Sequence, residues 1–509
     1  PGEDRGRGTA SMGSRRLMSL RVPLGRDTLG EILGTPHLNR WPDRAISSIC
    51  NDHRKMPADL FVAVQGQRHD ATDYIRDAIK DGARGIVCQS PPFSDVDASV
   101  SWWQVEDARL ALGQLAHAGA GWPGRKMRVF GITGTNGKST TVGYLSSILQ
   151  ETGRKVGWMT TLEHRVGDRT TRSSMTTEDP MVIADSLARH LESGGTDMVL
   201  EVSSHAIDQQ RIGGLSLTAA AITSLGRDHL DYHGTIEQYH ETKQRLGDWC
   251  PDGAAFVRPH PQQDSSAPAG EIRFQVEGFA DAVANIIDGG FEGSSARFQT
   301  DGFTGEVKLR QMGRHNVSNA LVASAIAAAN QISATHIVAG IDKATAVAGR
   351  LQSIESPVGR IYIDFAHTPD AIDAVISTLR PLVSGRLILL FGCGGERDQG
   401  KRQQMGSSAS RADHLIVTSD NPRGEDPQQI IDQVLTGVSA GVDHNAEVDR
   451  RLAIETAVKM LKPDDVLVIA GKGHEDTQQI GDRFHSFDDH RVTCELLEQH
   501  YPFSREVIG

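Results

Sequence analysis

No run in this 509-residue chain approaches ~18 consecutive apolar residues, so no segment is expected to cross a membrane as a helix. Cysteine is sparse as well. The five present (Cys50, Cys88, Cys250, Cys393, Cys494) are scattered without metal-ligand spacing, which excludes a cysteine-built zinc site. Free thiols fit a reducing compartment, and a cytoplasmic location is expected. A basic excess is also missing: 53 Lys and Arg stand against 65 Asp and Glu, a net charge of −12, and no basic run occurs. Nucleic acid is therefore not an expected partner. Internal repeats and low-complexity tracts are absent. No apolar stretch of the kind found in signal peptides follows the Gly-, Ser- and Arg-rich segment Pro1–Arg16, and residues 1–24 are expected to form a leader or disordered tail.

What the chain does carry is a phosphate-binding signature. Residues 131–141 read Gly-Ile-Thr-Gly-Thr-Asn-Gly-Lys-Ser-Thr-Thr. The apolar run Val129–Ile132 reads as a strand, and Val142, Leu145, Ile148 and Leu149 recur at helical spacing beyond the loop. A glycine loop between strand and helix turns bare N–H groups and a helix N-terminus toward an anion. Lys138 is expected to reach the β- and γ-phosphates of a nucleoside triphosphate, and the Ser139 hydroxyl to sit on Mg2+. Ile132 departs from the usual spacing, which puts glycine there. The loop names a ligand and leaves the chemistry open.

The length suggests roughly three domains at ~150 residues each. The first block carries short strand candidates at Asp59–Val64 and Gly85–Cys88, with a helix over Tyr74–Asp81, and ends at the glycines around Pro123. In the second, Met198–Val202 and Ala219–Leu225 are continuous apolar runs, as buried parallel strands require. The polar stretch Pro259–Gly270 reads as a surface loop. The third repeats one pattern at Ile361–Phe365, Leu387–Phe391, His414–Thr418 and Val466–Ala470, each strand running into a polar Gly- or Pro-containing segment. That is a doubly wound sheet, whose ligands sit beyond the carboxyl ends of the strands. The expected fold class is α/β in three domains: a small α/β N-terminal domain (25–120), a central P-loop ATPase-like parallel-sheet domain (121–347), and a C-terminal Rossmann-like domain (348–509).

Chemistry-bearing residues cluster at strand ends. Glu201 and Ser203-Ser204-His205 follow one central strand, and Arg227-Asp228-His229-Leu230-Asp231-Tyr232-His233 follow the next. A carboxylate and an imidazole at two neighbouring strand ends, beside a phosphate loop, suit Mg2+ in a nucleotide site. The alternative is a hydrogen-bonded strand-end carboxylate with histidines that are only surface polarity.

Further segments follow in order: Gly-Arg-His-Asn-Val-Ser-Asn (313–319), Gly-Arg (349–350), Asp-Phe-Ala-His-Thr-Pro (364–369), Gly-Cys-Gly-Gly-Glu-Arg-Asp (392–398), Asp-Asn-Pro-Arg (420–423) and Gly-Lys-Gly-His-Glu (471–475). With the phosphate loop, Glu-Val-Ser-Ser-His (201–205) and Asp-His-Leu-Asp-Tyr-His (228–233), they resemble the Mur ligase family, ATP-dependent ligases that build the peptide of bacterial peptidoglycan. The match is most similar to members that add a diamino acid to UDP-N-acetylmuramoyl-L-alanyl-D-glutamate. The resemblance implies a role in cell-wall biogenesis, and through it in cell shape and division. It also implies ATP and Mg2+ as cofactors, small-molecule substrates as the partners, and a monomer.

It implies site residues too. Gly134, Thr135, Asn136, Gly137, Lys138, Ser139 and Thr140 would bind ATP, with Asn316 on the adenine, Arg350 on the γ-phosphate and Asp364 on the ribose. Asn319 would support its helix, and His367 lies next to that site. Lys243 corresponds to a lysine carried as a carbamate, an anion able to join Glu201 and His229 around a second Mg2+, beside the one on Ser139; Lys138, Glu201, His229 and Lys243 form the expected catalytic set. The residue pattern alone reads Lys243 as a solvated helix position in Glu237–Leu246. Thr176, Thr177, Ser203, Gln209 and Arg211 would hold the UDP-sugar-peptide, and Asp52 and Arg54 the uridine. His53, Ala71 and Ser224 depart from the family pattern.

Arg423 bears on the third substrate. meso-Diaminopimelate differs from lysine by a second amino-acid end carrying a carboxylate, which arginine's planar fork binds through two parallel hydrogen bonds. The resemblance adds Arg397 as a second carboxylate ligand, Asp420, Asn421 and Pro422 as neighbours, and Gly471 and Glu475 for the distal ammonium. A surface arginine beside a Pro422 turn is the plain alternative. The expected reaction is amide formation through an acyl phosphate, with His205 and His367 as candidate bases. Its rivals are the same reaction with L-lysine or another diamino acid, or a folylpolyglutamate synthase.

Overall fold

The computed structural model describes residues 17–34, 44–66, 70–260 and 270–502. Residues 1–16 of the expected leader and most of the Pro259–Gly270 stretch lie outside them. Three main sheets organise the rest. In the first, Leu17–Leu24 lies antiparallel to Ile46–Cys50, and Leu60–Val62, Gly85–Cys88 and Ser101–Gln104 continue in parallel. The leader reading is thereby corrected for residues 17–24. They form an edge strand that buries only Met18 and Leu24, too few apolar positions to stand out in the sequence.

The helix Ala108–Gly119 starts at Asp107, whose carboxylate accepts from the Arg109 and Leu110 amides. Its Leu112, Leu115 and Ala116 share one apolar core with the sheet and with Met181, Ala184 and Ala188 of the helix Pro180–Glu192. A Cβ on Gly113 would stand 2.3 Å from the Gly213 carbonyl oxygen, so glycine permits this approach of the first sheet's helix to the middle part of the chain.

The middle sheet has eleven strands. Its parallel heart runs Ala282–Gly290, Glu271–Val276, Ala255–Pro259, Ala219–Ile222, Arg128–Thr133, Asp197–Glu201, Val156–Met159. The purely parallel reading needs extending, because antiparallel strands flank this heart on both sides. Gly293–Thr300 and Phe303–Leu309 lie beyond Ala282–Gly290, and Glu163–Val166 and Arg169–Arg172 beyond Val156–Met159. Gly293–Thr300 and Phe303–Leu309 alternate buried with more exposed residues, since only one face packs, in this case on the helix Arg314–Ala329, whereas Arg169–Arg172 is exposed throughout.

The third sheet runs Gln352–Ile354, Arg360–Asp364, Val466–Ala470, Leu387–Cys393, His414–Ser419, Asp443–Glu447, parallel except for the first strand. Its four inner strands are fully or nearly fully buried, with helices on both faces. The middle and third sheets turn the carboxyl ends of their strands toward a common cleft, where Asn136 Nδ2 donates to Thr368 Oγ1 at 3.2 Å.

Candidate active site

The strand Arg128–Thr133 lies centrally in its sheet and delivers the phosphate loop to the N-terminus of the helix Lys138–Glu151. Gly134 and Gly137 have φ of 147° and 88°, values that side-chain-bearing residues rarely adopt. Each also meets a neighbour: a Cβ on Gly134 would lie 2.0 Å from Thr223 Oγ1, and one on Gly137 2.2 Å from Asn319 Oδ1. Ser224 Oγ accepts from the Asn136 amide at 2.9 Å, and the Gly226 amide donates to Thr135 Oγ1 at 3.0 Å. Lys138 is half-buried and folds over the loop, donating to the Gly134 and Thr135 carbonyls at 3.0 Å each. Burial lowers its pKa, and Arg350 adds to that, while Glu201 opposes it.

Glu201 ends the strand on one side of the loop strand. The run Ala219–Ile222, which leads to His229, lies on the other side. The two are therefore not adjacent strands; the phosphate loop sits between them. The Glu201 carboxylate is buried and accepts from Ser139 Oγ at 2.5 Å and from the Thr161 amide and hydroxyl at 2.5 and 2.7 Å. Thr161 was not among the sequence-derived candidates; its hydroxyl also reaches Thr176 Oγ1 at 3.1 Å.

Lys243 is buried on the helix Ile236–Gln244, contrary to the solvated reading. Its ammonium donates to the Gly134 carbonyl at 3.0 Å and stands 4.4 Å from the Tyr239 ring centroid. Burial and the nearby Lys138 push its pKa well below the ordinary lysine value, against Asp228. His229, with φ of 53°, belongs to an aromatic cluster with His205, its ring centroid 4.8 Å away. Burial pushes the pKa of His229 down to about 3 and that of His205 to about 4, so both are neutral at physiological pH. Among the described residues no three His, Cys, Asp or Glu side chains converge as a metal-ligand cluster.

Asp228, quoted in a motif but given no role by the sequence reading, holds the middle of the cleft. Its carboxylate lies 3.2 Å from Lys401 Nζ and 3.6 Å from His367 Nε2, both from the third-sheet part of the chain, and 3.6 Å from His229 Nε2. Burial resists its ionisation, but His367, Lys401 and His229 outweigh that and hold its pKa well below the carboxylate range. Arg227 pairs with Asp398 across the same junction at 3.0 Å. His367 Nδ1 donates to the Phe365 carbonyl at 2.7 Å, which leaves Nε2 facing Asp228.

One cavity in this cleft is lined by Asn136, Gly137, Asn316, Asn319, Arg350 and Asp364. Asn316 Nδ2 donates to the Met312 carbonyl at 2.9 Å, and Asp364 accepts from the Leu351 and Ala366 amides at 2.7 Å each. Burial pushes the Asp364 carboxyl up, against Arg350. Arg350 lies 4.7 Å from the Phe365 ring centroid, and its buried Nε has no hydrogen-bond partner among the described residues.

A second groove lies between the first and middle sheets, lined by Asn51, Arg109, Met175, Asp179, Gln209 and Arg211. Arg211 donates to the Thr177 carbonyl at 2.8 Å and to Gln209 Oε1 at 2.9 Å, and Thr177 Oγ1 accepts from the Ser203 amide at 3.0 Å. Asp52 and Arg54 form a two-pronged pair with each other at 2.8 and 2.9 Å, and His53 stacks on Tyr74 at 4.0 Å.

At the far end of the cleft, Arg423 Nη1 donates to the Gly395 carbonyl at 2.6 Å. Its pKa is lowered by burial and by Arg397, with Asp420 and Glu475 opposing. Asn421 Nδ2 donates to Glu475 Oε2 at 2.9 Å, and the buried Lys472 reaches the same oxygen at 3.0 Å. A Cβ on Gly471 would stand 2.6 Å from Asp420 Oδ2. Arg397 Nη1 approaches Asp231 Oδ2 at 4.0 Å. The cleft thus carries cations in its middle and a mixed-charge pocket at one end. Lys401 and Lys472 went unseen as site residues: the first stands outside every motif quoted, and the second inside one whose glycines and glutamate drew the assignment.

Comparison with known proteins gives two family matches: the Mur ligase middle domain over residues 132–327, and the Mur ligase glutamate ligase domain over residues 349–473. The chain is 35% identical over 486 residues to a UDP-N-acetylmuramoyl-L-alanyl-D-glutamate–2,6-diaminopimelate ligase of Parabacteroides distasonis, covering 93% of this chain and 98% of that one. To the enzyme of the same name from Aquifex aeolicus it is 37% identical over 443 residues, covering 86% and 90%. A solved structure of an enzyme of this name superposes with a TM-score of 0.64 at 28% identity, over 94% of this chain and 99% of that one.

Proposed function

The chain belongs to the Mur ligase family, and from that premise we propose how its residues divide the work of adding meso-diaminopimelate to UDP-N-acetylmuramoyl-L-alanyl-D-glutamate. It is an ATP-dependent, ADP-forming ligase of peptidoglycan synthesis. The work is divided among three parts: residues 25–120, joined by the edge strand Leu17–Leu24, for the uridine end, 121–347 for ATP, and 348–509 for the amino acid. The reaction runs in the cytoplasm on a monomer, and through the cell wall it serves cell shape and division.

A carboxylate is a poor acyl donor, because oxide would have to leave. The D-glutamate side-chain carboxylate therefore attacks the γ-phosphorus of ATP, ADP departs, and an acyl phosphate results. The amine of the third substrate then attacks the acyl carbon, and phosphate leaves from the tetrahedral intermediate. Bringing two anions together is the first barrier, and fixed positive charge is what lowers it. Lys138 on the loop and Arg350 across the cavity supply that charge. The unpartnered buried Nε of Arg350 in the cavity wall supports its role on the γ-phosphate. Asn316 and Asp364, in the same wall, take the adenine and the ribose.

Mg2+ would find hard oxygen donors in Ser139 and in the buried Glu201, and it would supply further charge neutralisation at the phosphates. Converging protein ligands fall short of three among the described residues. A carbamate on Lys243, beside Glu201 and the neutral His229, would make up the set. Carbon dioxide adds to a neutral amine, and burial shifts Lys243 toward that form, which supports this modification. Thr176, Thr177, Ser203, Gln209 and Arg211 hold the muramoyl dipeptide, and Asp52 and Arg54 its uridine. Asp420, Asn421, Pro422, Gly471 and Glu475 frame the third substrate.

The observation that carries the choice of meso-diaminopimelate is the pairing of Arg423 and Arg397 at one end of the cleft with Glu475 nearby. The two arginines and Glu475 fit the carboxylate and ammonium of that substrate's distal end, whereas lysine offers the ammonium alone and would leave both arginines without a carboxylate. Mass-spectrometric product formation from the UDP-dipeptide, ATP and a panel of diamino acids tests it. The expected product contains meso-diaminopimelate; a preference for L-lysine would overturn the assignment.

A further inference from the structure

We propose that the hairpin formed by Thr477–Ile480 and Arg483–Ser486 is the specificity clamp of the amino-acid pocket: it fixes Arg423 in an otherwise unfavourable backbone conformation and so aims its guanidinium at the distal carboxylate of the third substrate. The proposal rests on the substrate reading above. Arg423 has φ of 53°. A residue with a side chain persists in that left-handed region only where its surroundings hold it there.

What holds it is the hairpin. The Arg423 amide donates to the Gln479 carbonyl at 3.1 Å, and the Gly481 amide donates to the Arg423 carbonyl at 2.7 Å, so a one-residue parallel bridge to Ile480 pins both of its backbone groups. The same strand grips the residues before it. Gln478 is buried, and its Nε2 donates to the Asp420 carbonyl at 2.7 Å and to Ser419 Oγ at 3.4 Å. The Gln479 amide donates to Asn421 Oδ1 at 2.9 Å. Pro422 has no N–H with which to help. Lys472 ties the other wall of the pocket to the hairpin by donating to Glu475 and to the Thr477 carbonyl, at 3.0 and 2.6 Å.

A role in packing explains little of this. Among the described residues the two strands pair only with each other, apart from the bridge to Arg423. Arg483–Ser486 is exposed throughout, Phe484 included, and Ile480 at the end of the other strand is exposed as well. The hairpin adds little to any core, and its inner strand directs its hydrogen bonds at the segment Ser419–Arg423. Arg172 of the middle part of the chain pairs with Asp476 at its base.

Two variants test the clamp. Gln478→Leu keeps the size and removes the amide. Gly481→Ala meets no atom within 4 Å but puts a side chain at φ of 57°, straining only the donor to Arg423. In steady-state kinetics, Gln478→Leu is expected to raise KM for meso-diaminopimelate about tenfold, the worth of one buried hydrogen bond. KM for ATP and for the UDP-dipeptide should stay within about twofold, and the preference for meso-diaminopimelate over L-lysine should fall by about the same tenfold factor. Gly481→Ala should give the same pattern more weakly. Equal losses with both amino acids, a raised KM for ATP, or unchanged kinetics in both variants would overturn the clamp. Wild-type enzyme that prefers L-lysine would instead overturn the substrate reading. The clamp would then stand or fall on whether Gln478→Leu raises KM for the amino acid actually used while KM for ATP holds.

Discussion

Replacing Asp228 by asparagine should separate the two halves of the cleft energetically. The Asp228 carboxylate and the Lys401 ammonium, 3.2 Å apart and both buried, come from different parts of the chain. At an effective dielectric of about 20 their attraction is roughly 5 kcal/mol before desolvation is counted. Asparagine keeps an acceptor for the His229 amide, which now donates to Asp228 Oδ1 at 2.9 Å, but strands a buried ammonium. Breaking a buried pair from one side costs about 3–5 kcal/mol, and the retained acceptor puts Asp228→Asn at the lower end. Lys401→Met in the same background removes the stranded charge, so the double variant should be more stable than Asp228→Asn alone. All six tryptophans lie before residue 250, so intrinsic fluorescence does not report on the third-sheet part. Urea unfolding followed by far-UV circular dichroism does. The folded Asp228 carboxyl titrates below its ordinary range. Its contribution is therefore fully present above the unfolded pKa of about 3.9 and is lost only as pH falls through the lower folded value, so the difference between wild type and variant should be flat from about pH 5 to 8. An additive double variant, or a loss below about 1 kcal/mol, would refute the reasoning.

Lys243→Arg, which cannot carry a carbamate, should abolish ligation while leaving the fold intact. Wild-type enzyme depleted of carbon dioxide should lose activity and regain it with bicarbonate, and activity indifferent to bicarbonate would exclude the carbamate. Gly137→Ala combines an unfavourable φ of 88° with a contact at 2.2 Å to Asn319; ATP affinity measured by calorimetry should fall at least about tenfold, whereas the melting temperature should drop only slightly. His117 is buried, has no partner for Nε2, and is held neutral by burial down to a pKa of about 4. Unfolded histidine takes up its proton near 6.5. The unfolded state therefore binds more protons between those values, and stability should fall by up to about 3 kcal/mol as pH drops from 6.5 to 4. His117→Leu should flatten that slope in thermal melts, and an unchanged slope would contradict it.

The legible parts of the fold were those with strong local signals. The phosphate-loop strand and the four inner strands of the third sheet are uninterrupted apolar runs because both of their faces are covered. Leu17–Leu24 was read as tail because an edge strand with two buried residues has no such run. The strands Gly293–Thr300 and Phe303–Leu309 hid for a related reason: one face is wet, and the signal is alternation, as in Ser294, Ala296, Phe298 and Thr300. A strand of this kind shows itself by a period of two and not by an apolar run.

The site divides along the same line, between what a segment states about itself and what only docking creates. Gly134, Gly137 and Lys138 act within one loop, so their spacing alone suggested a ligand. Asp228, Lys401 and Arg423 take their character from elsewhere in the chain. Lys401 is 173 residues from the carboxylate it pairs with, and nothing about either neighbourhood foretells the other. Arg423 is the sharper case. Its side chain was legible as a carboxylate ligand, yet its backbone conformation depends on Gln479 and Gly481, more than fifty residues on, in a hairpin with no motif of its own. On the proposed clamp, substrate choice in this chain is carried by two layers. One is the guanidinium, which any reading of side-chain chemistry would select. The other is a set of hydrogen bonds that decides where the guanidinium points; those on the Arg423 main chain leave no mark in residue type, because every residue but proline can both donate and accept them. An arginine in the right place in the sequence is thus a necessary condition for choosing the dicarboxylic substrate and not a sufficient one; two relatives that share Arg423 but differ in the hairpin should differ in selectivity.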